Sequence, residues 1–189
     1  RLALDGRLNF LVGSTDMNLE VNSNGTFRGE AGAGINVAGF NLANGRVVLS
    51  NGGVAINGRV AIPEFGSINL AGSVQSNGGY SMTGSGALRP LGFNVTNTAV
   101  TVSNNQGLRV RGDLNFLVGN TRIDTSVNPN GTFRSESSAN ITVAGFPLLN
   151  NTVVFTHNGV TISGHIDIPV FGRADVSGTV QSDGTFSLS

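Results

Sequence analysis

The sequence predicts an all-β protein, an elongated tandem-repeat antiparallel β array built as a two-sheet β-roll or solenoid-like coil. About five short strands are expected in each half-unit of 53 residues (residue 24 to residue 77). Three observations predict this class: an ungapped internal repeat, strict two-residue alternation of apolar side chains, and glycine-bearing turns between the alternating runs. Long helical patterns are missing.

The repeat is the strongest of the three. Leu8-Asn9-Phe10-Leu11-Val12-Gly13 returns letter for letter as Leu114-Asn115-Phe116-Leu117-Val118-Gly119, an offset of 106 residues (residue 8 to residue 114). At the same offset Asn24-Gly25-Thr26-Phe27-Arg28 maps onto Asn130-Gly131-Thr132-Phe133-Arg134, and Val37-Ala38-Gly39-Phe40 onto Val143-Ala144-Gly145-Phe146. Ile62-Pro63-Glu64-Phe65-Gly66 likewise maps onto Ile168-Pro169-Val170-Phe171-Gly172. A fixed period implies units that complete their cores against their neighbours.

A weaker period halves the strong one, because Asn24, Asn77, Asn130 and Asp183 each open a related turn followed by Phe27, Tyr80, Phe133 and Phe186. The chain therefore divides into 1–23, the end of a B-type half-unit, 24–76 (A-type), 77–129 (B-type), 130–182 (A-type) and 183–189, the start of a further B-type half-unit. The A type carries Ile-Pro-x-Phe-Gly and the B type Leu-Asn-Phe-Leu-Val-Gly. No initiator Met, signal-like segment or distinct polar terminal unit is present, so the expectation is a segment of a longer array.

The strands follow in order. Val54, Ile56, Gly58, Val60 and Ile62 alternate with Ala55, Asn57, Arg59 and Ala61, the pattern of a strand with one buried and one wet face. Superposing the units aligns Ile62 with Phe116 and Ile168, and Val60 with Leu114 and Ile166. The opposite face then holds Arg59, Asp113 and His165 near one level. Ser50-Asn51-Gly52-Gly53 and Ser76-Asn77-Gly78-Gly79 read as hairpin turns with positive φ at both central positions. In the first A-type half-unit the strands are expected near 26–31, 34–42, 46–50, 54–62 and 67–75. About 17 strands at ~4.8 Å spacing would extend on the order of 80 Å if each paired with the next. The apolar face of such a meander must fold over into a second layer or curl into a trough.

Composition narrows the function classes. There are 28 glycines, the formal net charge is zero, and Cys and Trp are absent. All 11 basic residues are arginines scattered along the chain, so no stripe suited to nucleic acid or an anionic membrane is expected. Without Cys there is no disulfide framework or thiolate metal site, and without Lys no Lys-Asn isopeptide crosslink. No run approaches a membrane-spanning helix, and the lone Tyr80 and absent Trp argue against the aromatic girdles of a transmembrane barrel.

The aromatic residues all fall on repeat positions: Phe27, Tyr80, Phe133 and Phe186 on one, Phe40, Phe93 and Phe146 on another, Phe65 and Phe171 on a third, Phe10 and Phe116 on a fourth. Phe155 replaces Leu49 and Val102. They are expected to form a core ladder rather than an exposed sugar platform. His157 stands where another unit has Asn51, at a turn. His165 and Asp167 are expected opposite Asp175 and Arg173 on a polar hairpin face, where the first A-type unit has Arg59, Ala61, Asn69 and Ser67. No catalytic, cofactor-binding or metal-ligating residue is nominated, and no cofactor is expected. Asn24, Asn94, Asn130, Asn140 and Asn150 each begin an Asn-x-Ser/Thr triplet.

The expected function is that of a structural repeat segment in a secreted or cell-surface fibre, stalk or extracellular-matrix protein. Its expected partner is itself, end to end or laterally, without catalysis and without nucleic acid or an integral membrane segment. The alternative is a lipid-binding or lipid-conducting β-groove in which Phe27, Phe40 and Val47 line the groove and lipid is the partner. A second alternative is an adhesin spacer whose binding tip lies outside these residues. The small residues Gly29, Ala31, Ala33, Gly58 and Gly72 among large ones favour close packing over a trough.

Overall fold

The computed structural model describes residues 1–116 and 118–189; Leu117 of the repeated hexapeptide lies outside the described residues. The first strands are β1 (Leu2–Phe10), β2 (Gly13–Val21), β3 (Phe27–Gly32), β4 (Gly34–Val37), β5 (Phe40–Ser50), β6 (Gly53–Ile62), β7 (Gly66–Val74) and β8 (Tyr80–Gly84). A 3-10 turn at Pro90–Gly92 precedes β9 (Asn94–Ser103), β10 (Gly107–Phe116) and β11 (Gly119–Val127). Then come β12 (Arg134–Ser137), β13 (Asn140–Val143), β14 (Phe146–Pro147), β15 (Leu149–Thr156), β16 (Gly159–Ile168), β17 (Gly172–Val180) and β18 (Phe186–Leu188).

The chain is all-β, with antiparallel sheets of 13 and 5 strands among the described residues. The larger runs β1-β2-β3-β5-β6-β7-β8-β9-β10-β11-β13-β14, with β4 between β2 and β5; the smaller runs β12-β15-β16-β17-β18. The chain folds as two compact units. The first comprises Arg1–Ile62, Ser67–Gly86 and Val100–Leu108, the second Pro63–Gly66, Ala87–Ala99 and Arg109–Ser189.

Asparagine and glycine chemistry shapes the turns. The Asn24, Asn77 and Asn130 side-chain carbonyls and the Asp183 carboxylate each accept a hydrogen bond from the amide two residues on, at 2.9–3.1 Å. Such local acceptors mimic a backbone turn and fix it. The amides of Gly25, Gly78, Gly131 and Gly184 close the same turns on the carbonyls of Asn22, Gln75, Asn128 and Gln181.

The turn type expected at Asn51-Gly52 and Asn77-Gly78 is corrected by the backbone angles. Only Gly53 (φ 106°) and Gly78 (φ 85°) are left-handed there, while Asn51 and Asn77 are not. Paired positive φ occurs instead at Ala38-Gly39 (51° and 87°), Leu91-Gly92 (52° and 86°) and Ala144-Gly145 (49° and 87°), the signature of type I′ turns. The expected strand 34–42 is therefore broken at Ala38-Gly39. Its second half joins the expected 46–50 as the longer β5, with a register shift between Ala43 and Arg46.

In this first half-unit β3 and β4 lie end to end in one strand position, both paired with β2 and β5. In the second A-type half-unit β12 pairs with β15, whereas β13 pairs with β11 and β14. One substitution lies at that divergence. The Ala33 amide donates to the backbone carbonyl of Gly45 at 2.9 Å, but at the aligned place the Asn151 side chain bonds both the amide and the carbonyl of Ala139 at 2.8 Å.

Within the first unit the buried side chains include Val37, Val47, Ile56, Val60, Ile62, Leu70 and Met82, the inward members of alternating strands. Close approach at Gly29 and Gly58 permits this packing: an added Cβ would lie 2.8 Å from the Met17 sulfur and 3.0 Å from Leu42. Buried Tyr80 occupies the position held elsewhere by phenylalanine, and its hydroxyl oxygen accepts the Ala38 amide proton at 3.0 Å. The tyrosine thus satisfies a type I′ turn amide from a distant strand. Tyr80→Phe is expected to lower stability by about 1 kcal/mol in urea unfolding, the usual net value of one such bond; an unchanged midpoint would mean that water serves the amide equally well.

Candidate functional site

Within the second unit, a cluster of aromatic and main-chain contacts is built around the turn Pro63–Gly66. Glu64 (φ 65°) and Gly66 (φ 106°) bend the chain back sharply. The Glu64 and Phe65 carbonyls accept hydrogen bonds from the amides of Leu91 (3.0 Å) and Arg89 (3.1 Å), on the 3-10 turn. The left-handed Leu91-Gly92 pair follows those amides in the same turn. The signal for this arrangement in the sequence was only Pro90 and Gly92 at the place of Val37 and Gly39.

Phe65 is 2% exposed and meets the Phe133 ring edge-on, with centroids 4.7 Å apart at 64°. Phe133 meets Phe155 at 4.9 Å and 67°, and Phe155 meets Phe93 at 5.9 Å and 75°. Edge-to-face pairs of this kind contribute roughly 0.5–1.5 kcal/mol each beyond area burial. Pro63 closes over Gly131, where an added Cβ would lie 2.9 Å from the proline ring; Gly131 is buried, with φ at 86°.

The aligned turn at Pro169–Gly172 has the same fold but a different environment. Ile168 pairs with Gly172 around a three-residue loop, and Val170 is left-handed at φ 72°. Phe171, the counterpart of Phe65, is 88% exposed, and Val170 is fully exposed. The core-ladder expectation is thus corrected for Phe171 and Phe186, which face solvent. Phe40, Phe65, Tyr80, Phe93, Phe133 and Phe155 are buried, and Phe10, Phe27, Phe116 and Phe146 are half-buried. The difference between Phe65 and Phe171 is one of neighbours, since both sit on the same turn.

His165 pairs with Asp175 and Asp167 with Arg173 in the β16–β17 register, and the Arg173 guanidinium lies 3.4 Å from the Asp167 carboxylate. His165 is 8% exposed, against the expectation of a wet polar face. Burial in β16 falls on Val160 and Ile162 and then jumps three residues to His165. The facing strand β15 is irregular between Leu149 and Thr152, and Leu149 pairs with His165 beyond that break. His157 is exposed at its turn. Its counterpart Asn51 does more than form a turn, bonding the Phe27 amide at 2.7 Å and the Gly25 carbonyl at 3.2 Å.

The charged side chains form surface networks. Glu30 receives Arg28 and Arg46, and Asp124 receives Arg109 and Arg111. Hydrogen bonding from Arg109 holds the Asp124 carboxyl below its ordinary range. Exposed pairs like these contribute at most about 1 kcal/mol. Arg59 donates to the Ser67 hydroxyl at 2.9 Å. Among the described residues no group of three or more His, Asp or Glu side chains could hold a metal ion, and no buried side-chain polar atom lacks a partner.

Of the three groove positions, Phe40 and Val47 are buried and Phe27 is half-buried. Asn24, Asn94, Asn130, Asn140 and Asn150 are all exposed. Among the described residues no helix is long and apolar enough to cross a membrane. Compared with known proteins, the chain matches no family model, no curated protein and no solved structure.

The two turns give a paired test. Phe65→Ala is expected to cost about 3–5 kcal/mol, as for a phenylalanine removed from a core, and Phe171→Ala to stay within about 0.5 kcal/mol. Thermal or urea unfolding of the two variants reads the difference directly; equal losses would contradict the environments described.

Proposed function

We propose that this chain is a structural repeat segment of a secreted or cell-surface fibre, stalk or extracellular-matrix protein, self-assembling and without catalysis. The observation that carries the reading is the sealing of the Pro63–Gly66 turn by residues 89–91, Gly131 and Phe133. Lengths of sequence far apart in the repeat are locked by aromatic packing and main-chain hydrogen bonds, the arrangement an array needs to resist unfolding. Zero formal charge, with arginine and carboxylates paired locally, also suits close lateral packing of chains. An adhesin spacer presenting a tip outside these residues would use the same construction.

The lipid-groove reading has one observation in its favour. An open hollow of about 650 Å³, lined by Leu8, Phe10, Leu11, Val54 and Val74 among others, lies in the first unit. Against it stand the buried Phe40 and Val47 and the close approaches at Gly29 and Gly58, which suit a packed interior.

Negative-stain electron microscopy of protein from its native source, with mass spectrometry of co-purifying lipid, separates the two. Regular filaments with an axial repeat and no lipid are the expected result; discrete particles carrying acyl chains would replace the structural reading with the groove.

A further inference from the structure

Of the asparagines that begin an Asn-x-Thr triplet, Asn94, Asn130, Asn140 and Asn150 lie in the second unit. All four are exposed. At the aligned positions Asn41, Asn77, Gly34 and Asn44 are exposed as well, so the outward aspect belongs to the repeat position.

The side-chain amides of the chain fall into two groups. Asn51, Asn97, Asn128 and Asn151 donate through Nδ2 to protein acceptors at 2.7–3.2 Å, and none of them has Ser or Thr two residues on. In the four triplets Nδ2 donates to no protein acceptor among the described residues. Asn130 engages only its Oδ1, which accepts the Thr132 amide at 3.1 Å and the Thr132 hydroxyl at 2.8 Å. Asn150 and Asn151 show the contrast side by side. Asn151 gives its Nδ2 to the Ala139 and Leu148 carbonyls, while Asn150, left-handed at φ 47° where β15 is irregular, is exposed.

An oligosaccharide on Nδ2 replaces one amide hydrogen and leaves Oδ1 free to accept. At Asn130 both bonds that fix the turn therefore survive the substitution. On an Nδ2 that donates into the fold, as in Asn151, the same substituent would displace a main-chain partner and leave it unsatisfied.

We propose that Asn94, Asn130, Asn140 and Asn150 are acceptors of N-linked oligosaccharide. The triplet is the acceptor pattern for that transfer in secreted chains, and an exposed asparagine with a free Nδ2 is the structural context it needs. In the transfer Nδ2 attacks the anomeric carbon of an oligosaccharide activated as a lipid-linked diphosphate. The N–C bond forms, the C–O bond to the diphosphate breaks, the lipid diphosphate leaves with the electron pair, and the amide proton passes to a base of the transferase. The proposal rests on the secreted or cell-surface reading above, since the donor is met by chains leaving the cytoplasm. The repeat supplies its own controls. Asn44-Gly45-Arg46 shares the left-handed asparagine of Asn150, and Asn77-Gly78-Gly79 shares the turn of Asn130, but both lack the hydroxyl and should stay bare.

Peptide mass spectrometry of the chain from its native source, separated into extracellular and intracellular pools and treated with peptide-N-glycosidase in heavy-oxygen water, tests the assignment. Oligosaccharide on the untreated peptides and heavy-oxygen label at the four positions, with none at Asn44 or Asn77, is the expected result. Bare asparagine at all four in extracellular chain overturns the modification and leaves the structural reading standing. Bare chain found only inside the cell overturns the secreted reading on which the modification rests. Equal label at Asn44 and Asn77 assigns it to spontaneous reaction at Asn-Gly and overturns the acceptor assignment. In a glycosylating secretory cell, Thr142→Ala should remove one oligosaccharide and Arg46→Thr should add one at Asn44. Glycosylated and enzymatically deglycosylated chains should melt together; a lower melting point for the glycosylated chain would overturn the claim that these sites carry sugar without displacing a contact.

Discussion

Burial of Phe65, Phe93, Phe133 and Phe155 against one another is the constraint on which the second unit depends. A meander of short, glycine-rich strands leaves an apolar face that each strand pair alone cannot cover. In the second unit four phenylalanines help to close that face. Phe65, Phe133, Phe155 and Phe93 meet edge to face in sequence, and the turn that carries Phe65 is held by two main-chain hydrogen bonds from residues 89 and 91. Edge-to-face geometry orients the rings, and the hydrogen bonds fix the turn that delivers the first of them.

The same constraint explains which small details the sequence tolerates. Gly131 is required twice over, by its left-handed φ and by the proline that lies on it, while Gly25 meets only the first requirement. Tyr80 replaces phenylalanine where a turn amide needs an acceptor. Asn151 replaces Gly45 where the strand position at 134–143 divides between two sheets, and its amide group serves backbone groups that β3 and β4 satisfy through the main chain. Buried backbone groups must find partners, and here side chains of other strands supply them.

Much of the fold was legible in the sequence. Alternation at Val54–Ile62 located β6, and Asp167 opposite Arg173 followed from the three-residue loop and the two-residue period. The turn at Ala38-Gly39 was not legible, because alanine carries no signal for positive φ; three turns at matched positions share that geometry with Ala, Leu and Ala at the strained place. His165 defied the alternation because a break in the facing strand shifted the burial pattern. The exposure of Phe171 was invisible for a different reason: its local sequence matches that of Phe65, and only its long-range neighbours differ.

The edge-on contact with Phe133 adds to the burial that holds Phe65. A double-mutant cycle of Phe65→Leu and Phe133→Leu, read by urea unfolding, measures this most directly. The expected coupling is about 0.5–1.5 kcal/mol, with the double variant less destabilised than the sum of the singles. Additive losses would contradict it.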